Sequence, residues 1–275
     1  VNALIDEARL NGLKSVIYTF TVHPENIIRK KLITPLLTSV SKKVEILSRT
    51  ALDYLFFDKF DEKYSRMDPE TFVRQILVEK LGAKIVVAGF NYRFGYMGQG
   101  DAELLKKFGE KMGFKVVIIS PIKIDRQTVS STLIREYISK GNMEKVHALL
   151  GRHFSITGEV LPGKRLGRKI GFPTANLQPE RYLIMPRPGV YLTKTLFNGK
   201  IYNSLTNIGY NPTFGGEKRI SAETHIIDFD KDIYASNIEV FFLKKLRDEK
   251  KFKNAAELTE QIKRDIQQAK EYFGI

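Results

Sequence analysis

The residues with the clearest chemical signal lie between positions 163 and 176, in the run GKRLGRKIGFPTAN. Glycines allow positive φ angles and close approach, so successive backbone N–H groups can point at phosphate oxygens. The cations offset the negative charge of a polyphosphate. The pattern predicts a nucleotide-binding loop, with a solvated, charged surface loop as the alternative. The glycines are Gly163, Gly167 and Gly171, and the cations are Lys164, Arg165, Arg168 and Lys169.

Two neutral oxygen donors, Thr174 and Asn176, end this run. Residues two apart on an extended segment point to the same face, so both side chains can bind one cation. Mg²⁺ prefers oxygen ligands and keeps several of its waters. Thr174 and Asn176 are therefore predicted to hold Mg²⁺. The run is not a Walker A loop, because its spacing differs and no Ser or Thr follows the lysine.

Glu223 is a carboxylate that could act as a base. Strand alternation places Ala222, Thr224 and Ile226 on one face and Glu223 with His225 on the other. From the residues alone, Glu223 is either a solvated side chain or a functional one, and both interpretations stay open.

The composition limits the class of protein. The chain has no cysteine and four histidines, which argues against a disulfide framework or a structural zinc site and suits a reducing cytoplasm. No run approaches the roughly 18–20 apolar residues of a membrane span. The formal net charge of +14 calls for an anionic partner. Because the densest cations lie in the glycine-rich run, small phosphorylated ligands are favoured over nucleic acid.

The first half of the chain alternates between helices and strands. Alternation implies parallel strands joined by right-handed crossovers, so the prediction is an open α/β sheet. The strand at 85–88 is apolar throughout and is predicted to be buried on both faces. Helices are predicted at 2–13, 41–50, 104–112 and after Asp68-Pro69, and strands at 15–20, 54–57, 85–88 and 116–119.

Polar residues stand just after these strands, where open α/β sheets bind their ligands. A helix N-terminus with nearby hydroxyls suits phosphate. Taken singly, each residue has a structural alternative, such as a helix cap or a loop histidine. Together they predict a second nucleotide site. The candidates are His23 after the first strand, Asn91 and Arg93 after the third, and Ser130, Ser131, Thr132 and Arg135 at a later helix start.

Beyond residue 150 the pattern changes to consecutive strands. Short turns such as Asn198-Gly199 predict antiparallel hairpins, and a small barrel is the natural closure. A final helix is predicted to pack on this barrel through an apolar stripe. The strands are predicted at 154–160, 190–197, 201–205, 220–227 and 238–243, and the stripe is Leu258, Ile262, Ile266, Ala269 and Phe273.

The run GFPTAN after GKRLGR resembles the signature of the riboflavin kinase family. Over nearly the whole chain the resemblance is to bacterial bifunctional riboflavin kinase/FAD synthetase. It implies a Rossmann-like nucleotidyltransferase domain at residues 1–150, then a small antiparallel β-barrel kinase domain with a C-terminal helix at 151–275. Supporting segments are LLGR at 149–152, PGVY at 188–191, NIGYNPTF at 207–214, ETH at 223–225 and RDEKKF at 247–252.

The resemblance also implies the chemistry. ATP with Mg²⁺ would phosphorylate riboflavin to FMN, and a second ATP would adenylylate FMN to FAD. His23, Asn91, Arg93, Ser130, Ser131, Thr132 and Arg135 match the adenylyltransferase motifs. In the kinase half, the family pattern makes Glu223 the base, assigns Gly163, Lys164, Gly167, Arg168, Lys169 and Asn207 to ATP, Tyr191, Arg247, Glu249 and Phe252 to the flavin, and Thr174 and Asn176 to the metal.

One family feature does not occur in the sequence. The family begins with a strand and a Gly-x-Phe-Asp-Gly-x-His-x-Gly-His motif whose histidines hold the ATP phosphates. We expect a parent chain that carries this segment. We also expect the 275 residues as given to make FMN but no detectable FAD, because donors that stabilise charge on the transferring phosphate are lost.

Two other functions remain open. A basic nucleic-acid-binding barrel would interleave aromatic and basic residues on adjacent strands, an arrangement that the sequence lacks. A regulatory protein with the same fold and no catalysis is the other. Turnover of riboflavin with ATP separates the three. The expected partners are small molecules, namely ATP, riboflavin and FMN, in the cytoplasm and away from membranes.

Overall fold

The computed structural model describes residues 1–30, 32–163, 167, 170–180, 182–212 and 218–275. They form two compact units, Val1–Leu36 with Val40–Thr128, and Leu37–Ser39 with Val129–Ile275. The two helices just before residue 151, which the prediction assigned to the first domain, belong to the second unit. The domain boundary at 150 stays a prediction.

The first unit alternates helices and strands, as predicted. Its helices are α1 Asn2–Leu10, α2 Pro24–Ile28, α3 Val40–Ser48, α4 Glu62–Ser65, α5 Pro69–Phe72 with a π-helical continuation Val73–Lys80, and α6 Ala102–Met112. Its strands are β1 Val16–Phe20, β2 Tyr54–Asp58, β3 Ile85–Gly89, β4 Lys115–Ile119 and the short pair β5 Lys123–Ile124 and β6 Gln127–Thr128.

The four longer strands of this unit pair in parallel, as predicted, whereas the short pair β5 and β6 is antiparallel. The arrangement differs from the predicted continuous sheet. β1 pairs with β2 and β3 with β4, and within the described ranges these are separate two-stranded sheets. The prediction that 85–88 is buried on both faces is wrong: Ala88 is buried, and the residues before it are half-buried. A strand with a neighbour on only one edge keeps more of its surface accessible than a central strand does.

The helix after Asp68 forms as its capping residues predict. The Asp68 carboxylate accepts a hydrogen bond of 2.9 Å from the Thr71 amide, and Pro69 occupies the first turn. The apolar residues at core spacing are buried and pack with Leu105 and Phe114. These residues are Phe72, Val73, Ile76 and Leu77.

The second unit is a closed six-stranded barrel in the order β10-β11-β8-β7-β12-β9. Five strands were predicted; the sixth, β8, begins at Ala175 inside the run predicted as a loop. Its elements are α7 Ser131–Lys140, α8 Met143–Leu150, β7 Phe154–Leu161, β8 Ala175–Pro179, β9 Gly189–Phe197, β10 Lys200–Pro212, β11 Lys218–Ile226, β12 Asn237–Arg247 and α9 Ala255–Phe273.

The hairpin turn at Asn198-Gly199 is confirmed. Its residues have φ angles of 47° and 73°, the double left-handed conformation that suits a two-residue turn between twisted strands. Helix α9 packs on the barrel, also as predicted. Ala269 is fully buried against Val190, Leu192 and Leu205.

A chain of hydroxyl groups runs through the buried side of β9, β10 and β11. The Thr195 hydroxyl donates to Ser204 at 2.8 Å, and the Thr193 hydroxyl lies 2.8 Å from Ser204 and 2.9 Å from Thr206. Thr206 in turn lies 2.9 Å from Thr224. All five side chains are fully buried. Each hydroxyl therefore depends on the next for its hydrogen bonds.

We expect Thr206→Val to destabilise the barrel. Valine keeps the shape of threonine but leaves the buried hydroxyls of Thr193 and Thr224 short of a partner, which costs about 1–3 kcal/mol for an unsatisfied group. Urea unfolding measures the change, with Thr157→Val on the half-buried side of β7 as the control. Equal midpoints for the two variants would contradict a structural role for the hydroxyl chain.

Two histidines stack outside the barrel, His147 in α8 and His153 just before β7. Their ring centroids are 4.1 Å apart. Burial lowers the pKa of His153, and the neighbouring His147 and Lys194 lower it further. Within the described ranges its buried Nδ1 has no hydrogen-bond partner. His153 is therefore held in its neutral form.

Because the pKa of His153 is lowered in the folded state, we expect the protein to lose stability in mild acid. The folded state binds a proton at His153 less readily than the unfolded chain, whose histidine titrates near 6.5, so stability falls as the pH drops below that value. We expect the urea midpoint to fall less between pH 7.5 and pH 5.5 in His153→Gln than in the parent protein. Parallel decreases would show that this titration does not contribute.

Candidate functional site

Four residues form a row across one face of the barrel. Register pairs Val190 of β9 with Asn207 of β10, Asn207 with Glu223 of β11, and Glu223 with Asn176 of β8. Residues paired in this way lie close enough for their side chains to interact. Closure of the barrel thus brings together residues that lie up to 47 positions apart in the sequence.

The predicted alternation of β11 is confirmed. Ala222, Thr224 and Ile226 are buried, whereas Glu223 and His225 are half-buried on the opposite face. Glu223 is therefore not a freely solvated residue. It lies in a cavity on the outer side of the barrel.

This Glu223 cavity has a volume of about 300 Å³. Apolar side chains and polar or charged ones line it in similar numbers, so an aromatic ligand can pack against the former while the latter orient it. Helix α9 supplies one wall through Leu258 and Ile262. The remaining lining residues are Gly167, Ile170, Phe172, Thr174, Val190, Leu205, Asn207, Glu223, His225, Arg247, Glu249, Lys250, Phe252 and Asp265.

A second, smaller cavity of about 170 Å³ lies next to it and contains Asn176. Thr174 lines both cavities, so the two meet at this side chain. The other lining residues of this Asn176 cavity are Val160, Gly163, Pro173, Ala175, Thr224, Ile226, Phe229, Asp230, Lys231, Asp232, Ile233 and Tyr234.

Two glycines of the 163–176 run, Gly163 and Gly167, make close contacts in these cavities, whereas Gly171 has open space at its Cβ position. A Cβ at Gly163 would lie 2.2 Å from the Asn176 amide nitrogen. A Cβ at Gly167 would lie 2.3 Å from the Phe172 carbonyl and 3.5 Å from the Thr174 hydroxyl. Glycine is needed at position 167 because the contact is with backbone, whereas a Cβ at Gly163 would displace the Asn176 side chain. The predicted ATP contacts Lys164, Arg168 and Lys169 lie outside the described residues.

Thr174 and Asn176 fit a magnesium ion that is completed by water and phosphate. Both residues line the Asn176 cavity, and the strand register places Glu223 opposite Asn176 on the adjacent strand. Within the described ranges no cluster of three or more acidic or histidine side chains could enclose a metal. Mg²⁺ commonly binds in this open way, through few protein oxygens and the substrate phosphates.

His225 lines the Glu223 cavity, although the sequence motif that contains it predicted no role for it. Its Nδ1 lies 2.8 Å from the Pro173 carbonyl oxygen, and its ring meets Phe172 edge-on. Burial lowers its pKa, so the ring is held neutral. The hydrogen bond fixes β11 to the residue before Thr174. Strand alternation places His225 on the same face as Glu223, and this pattern could have indicated that His225 belongs to the site.

Tyr191, a predicted flavin contact, lies away from the Glu223 cavity. It is fully buried, packs its ring against Phe242 and donates a hydrogen bond from its hydroxyl to the Arg187 carbonyl. Its neighbour Val190 lines the cavity instead. Because adjacent strand residues point to opposite faces, an assignment one residue away selects the wrong side chain.

The other predicted flavin contacts, Arg247, Glu249 and Phe252, do line the Glu223 cavity. Arg247 is bound to Asp265 of α9. Glu249 lies over Gly209, where a Cβ would come within 2.7 Å of its carboxylate oxygen. The segment 247–252 therefore covers Asn207 and Glu223 from outside the barrel.

The predicted adenylyltransferase residues of the first unit lie at strand ends. His23 caps α2, its Nδ1 accepting from the Glu25 amide at 3.3 Å. Asn91 and Arg93 are exposed, and Arg93 lies 3.6 Å from Asp101. Between them, Tyr92 stacks on buried Phe94, so both aromatic residues contribute to packing.

The remaining members of that set belong to the second unit. Ser130 caps α7 by accepting a hydrogen bond of 3.2 Å from the Leu133 amide, which is the structural alternative that the sequence left open. Ser131 and Thr132 are exposed in the first helical turn, and Arg135 follows one turn later. The structure thus divides the seven residues between the two units.

Family comparisons agree with this architecture. Residues 150–273 match the riboflavin kinase model, and residues 1–133 match the FAD synthetase model. The second match ends inside α7 and includes Ser130, Ser131 and Thr132. Together the two matches define a two-part flavin-nucleotide enzyme with a flavokinase barrel at its C-terminus.

Similar proteins extend over nearly the whole chain. Bifunctional riboflavin kinase/FMN adenylyltransferase from Bacillus subtilis is 35% identical over 97% of this chain and 85% of its own length. The protein of that name from Escherichia coli K12 is 33% identical over 100% of this chain and 88% of its own length. The chain belongs to the bifunctional riboflavin kinase/FMN adenylyltransferase family.

A solved structure shares the fold. It is described as a macrolide-efflux protein from Streptococcus pneumoniae, is 30% identical and has a TM-score of 0.83 over 97% of this chain and 86% of that one. Among the described residues, no helix is both long and apolar enough to cross a membrane.

Proposed function

We propose that this chain transfers the γ-phosphoryl group of ATP to the 5′-hydroxyl of riboflavin. The observation that carries the proposal is the position of Glu223, half-buried in a cavity that meets a second cavity at Thr174. Family membership supplies the substrates. The larger cavity suits the flavin, and the smaller one, with Gly163 and Asn176, suits the nucleotide.

In the proposed reaction Glu223 accepts the proton of the ribityl hydroxyl. The hydroxyl oxygen forms a bond to the γ-phosphorus, the bond from that phosphorus to the β–γ bridging oxygen breaks, and ADP leaves. Mg²⁺, held by Thr174 and Asn176, would offset charge on the phosphates. Asn207 lies beside Glu223 on β10, where its amide can orient the reacting groups. Positioning and electrostatics carry such a reaction.

We also propose adenylylation of FMN to FAD as the activity of the first domain in this family; that the 275 residues as given form no detectable FAD stays a prediction. His23, Asn91 and Arg93 lie after strands, where α/β domains bind nucleotides, and Ser131, Thr132 and Arg135 surround a helix N-terminus. Family membership supports both activities. A regulatory protein without catalysis is excluded if the chain turns over riboflavin. We place the protein in the cytoplasm, where its small-molecule substrates occur.

Glu223→Gln should abolish phosphorylation while riboflavin still binds. The amide keeps the shape of the side chain but cannot accept the proton, and loss of a general base typically costs about 10²–10⁴-fold in rate. FMN formation measured by chromatography gives the activity, and flavin fluorescence gives the binding. Glu159→Gln, exposed on β7, is the matched control. Undiminished turnover in Glu223→Gln would remove this residue from the mechanism.

Asn176→Ala and Thr174→Ala should each raise the Mg²⁺ concentration needed for half-maximal activity, since each deletes an oxygen donor. Gly163→Ala should shift the curve in the same direction, because the new Cβ displaces the Asn176 side chain. Activity titrated against Mg²⁺ measures all three. Gly199→Ala strains the β9–β10 turn through its φ of 73° but meets no neighbouring atom, so it controls for destabilisation away from Asn176. Unchanged curves would make this run structural.

A further inference from the structure

We infer that Asp265 of α9 is a positioning residue for the flavin. It holds Arg247, and through Arg247 the segment 247–252, over the Glu223 cavity. This inference rests on the proposed kinase function. No sequence motif predicted a role for Asp265. It stands among the polar positions between the apolar residues of an amphipathic helix.

Asp265 is a buried carboxylate with an unusually complete set of donors. The residue is 4% exposed. Its Oδ1 accepts from Arg247 Nε at 2.9 Å and from Gln261 Nε2 at 2.9 Å, and its Oδ2 accepts from Arg247 Nη2 at 2.7 Å. A buried charge is tolerated only when it is paired and hydrogen-bonded. The side-on pairing with a guanidinium fixes direction as well as distance.

The backbone of β12 is shaped to present Arg247 to the helix. Lys245 pairs with Tyr191 and Arg247 with Val190, so two residues of β12 oppose one step of β9 at a β-bulge. A bulge of this kind redirects the following side chain. Gly189, with a φ of 149°, permits it, since a Cβ there would lie 2.5 Å from the Arg247 carbonyl oxygen.

Most of the hydrogen-bond donors of Arg247 are used within the protein, and few are available to a ligand. A guanidinium has five N–H donors. Asp265 engages one at Nε and one at Nη2, and the Asp248 carbonyl accepts from Nη1 at 3.0 Å. Within the described part of the chain, these contacts leave two donors for a ligand. Arg247 therefore acts first as the ion-pair partner that joins β12 to α9. Its contact with a flavin depends on this ion pair with Asp265.

The Arg247–Asp265 ion pair holds two walls of the Glu223 cavity in place. On one side it fixes the start of the segment that carries Glu249 and Phe252, and on the other it fixes α9, which carries Leu258 and Ile262. The Asn176 cavity has no lining residue from either element within the described ranges. Loss of this ion pair should therefore weaken flavin binding and leave nucleotide binding unchanged.

Asp265→Asn tests this asymmetry in the full chain. The variant keeps the size of the side chain and removes the charge that orients Arg247. We expect KM for riboflavin to rise by about a hundredfold, the effect of a misplacement on the order of 1 Å, with KM for ATP unchanged. Glu260→Gln is the matched control, since Glu260 forms an exposed ion pair with Lys263 on the same helix. Its kinetics should equal those of the parent.

Trypsin cleavage gives a readout that is independent of activity. Lys250, Lys251 and Lys253 lie in or next to the segment, so its release should make cleavage there severalfold faster in Asp265→Asn than in Glu260→Gln. If the parent protein does not phosphorylate riboflavin, the proposed function fails, and the cleavage rates still decide whether Asp265 holds the segment.

A double variant guards against simple unfolding. Arg247→Met with Asp265→Leu replaces both buried charges by apolar groups, which commonly preserves stability. It should fold and still show the raised riboflavin KM and the faster cleavage. A folded single or double variant whose riboflavin KM or cleavage rate matches the parent would overturn the inference. So would equal increases in KM for riboflavin and ATP.

Discussion

Closure of the six-stranded barrel is the constraint on which the kinase half depends. A closed sheet has one register, so each residue of β11 has a fixed partner on β8 and on β10 and a fixed face. Glu223 is thereby placed between Asn176 and Asn207. A slip of one residue would bury the carboxylate and expose Thr224. The row of Val190, Asn207, Glu223 and Asn176 is thus a consequence of hydrogen bonding between strands.

The inner face of the barrel wall forms the core, whereas part of the outer face forms the Glu223 cavity. Inside, apolar side chains pack together, and the hydroxyls from Thr195 to Thr224 hydrogen-bond to one another. Outside, part of the wall is covered by α9 and the segment 247–252, which shelter the Glu223 cavity. The Arg247–Asp265 pair belongs to this cover, and its burial strengthens the electrostatic interaction relative to an exposed pair.

Local signals predicted most of the elements correctly. The Asp68-Pro69 cap, the Asn198-Gly199 turn and the alternation around Glu223 depend on near neighbours in sequence, and each is confirmed. Strand β8 was missed because it is short, follows a glycine-rich run and ends in proline, so its own sequence is typical of a loop. It is a strand because β7 and β11 offer it backbone partners on both edges.

By itself, then, the sequence determined the order of helices and strands, the change from parallel to antiparallel pairing, and the chemical types at the site, because these depend on spacing and on residue chemistry. Tertiary structure alone decided which residues meet. It placed Val190 rather than Tyr191 in the cavity, tied His225 to Pro173, and brought Asp265 to Arg247. These contacts join segments far apart in the chain, and only barrel closure and helix packing set their distances.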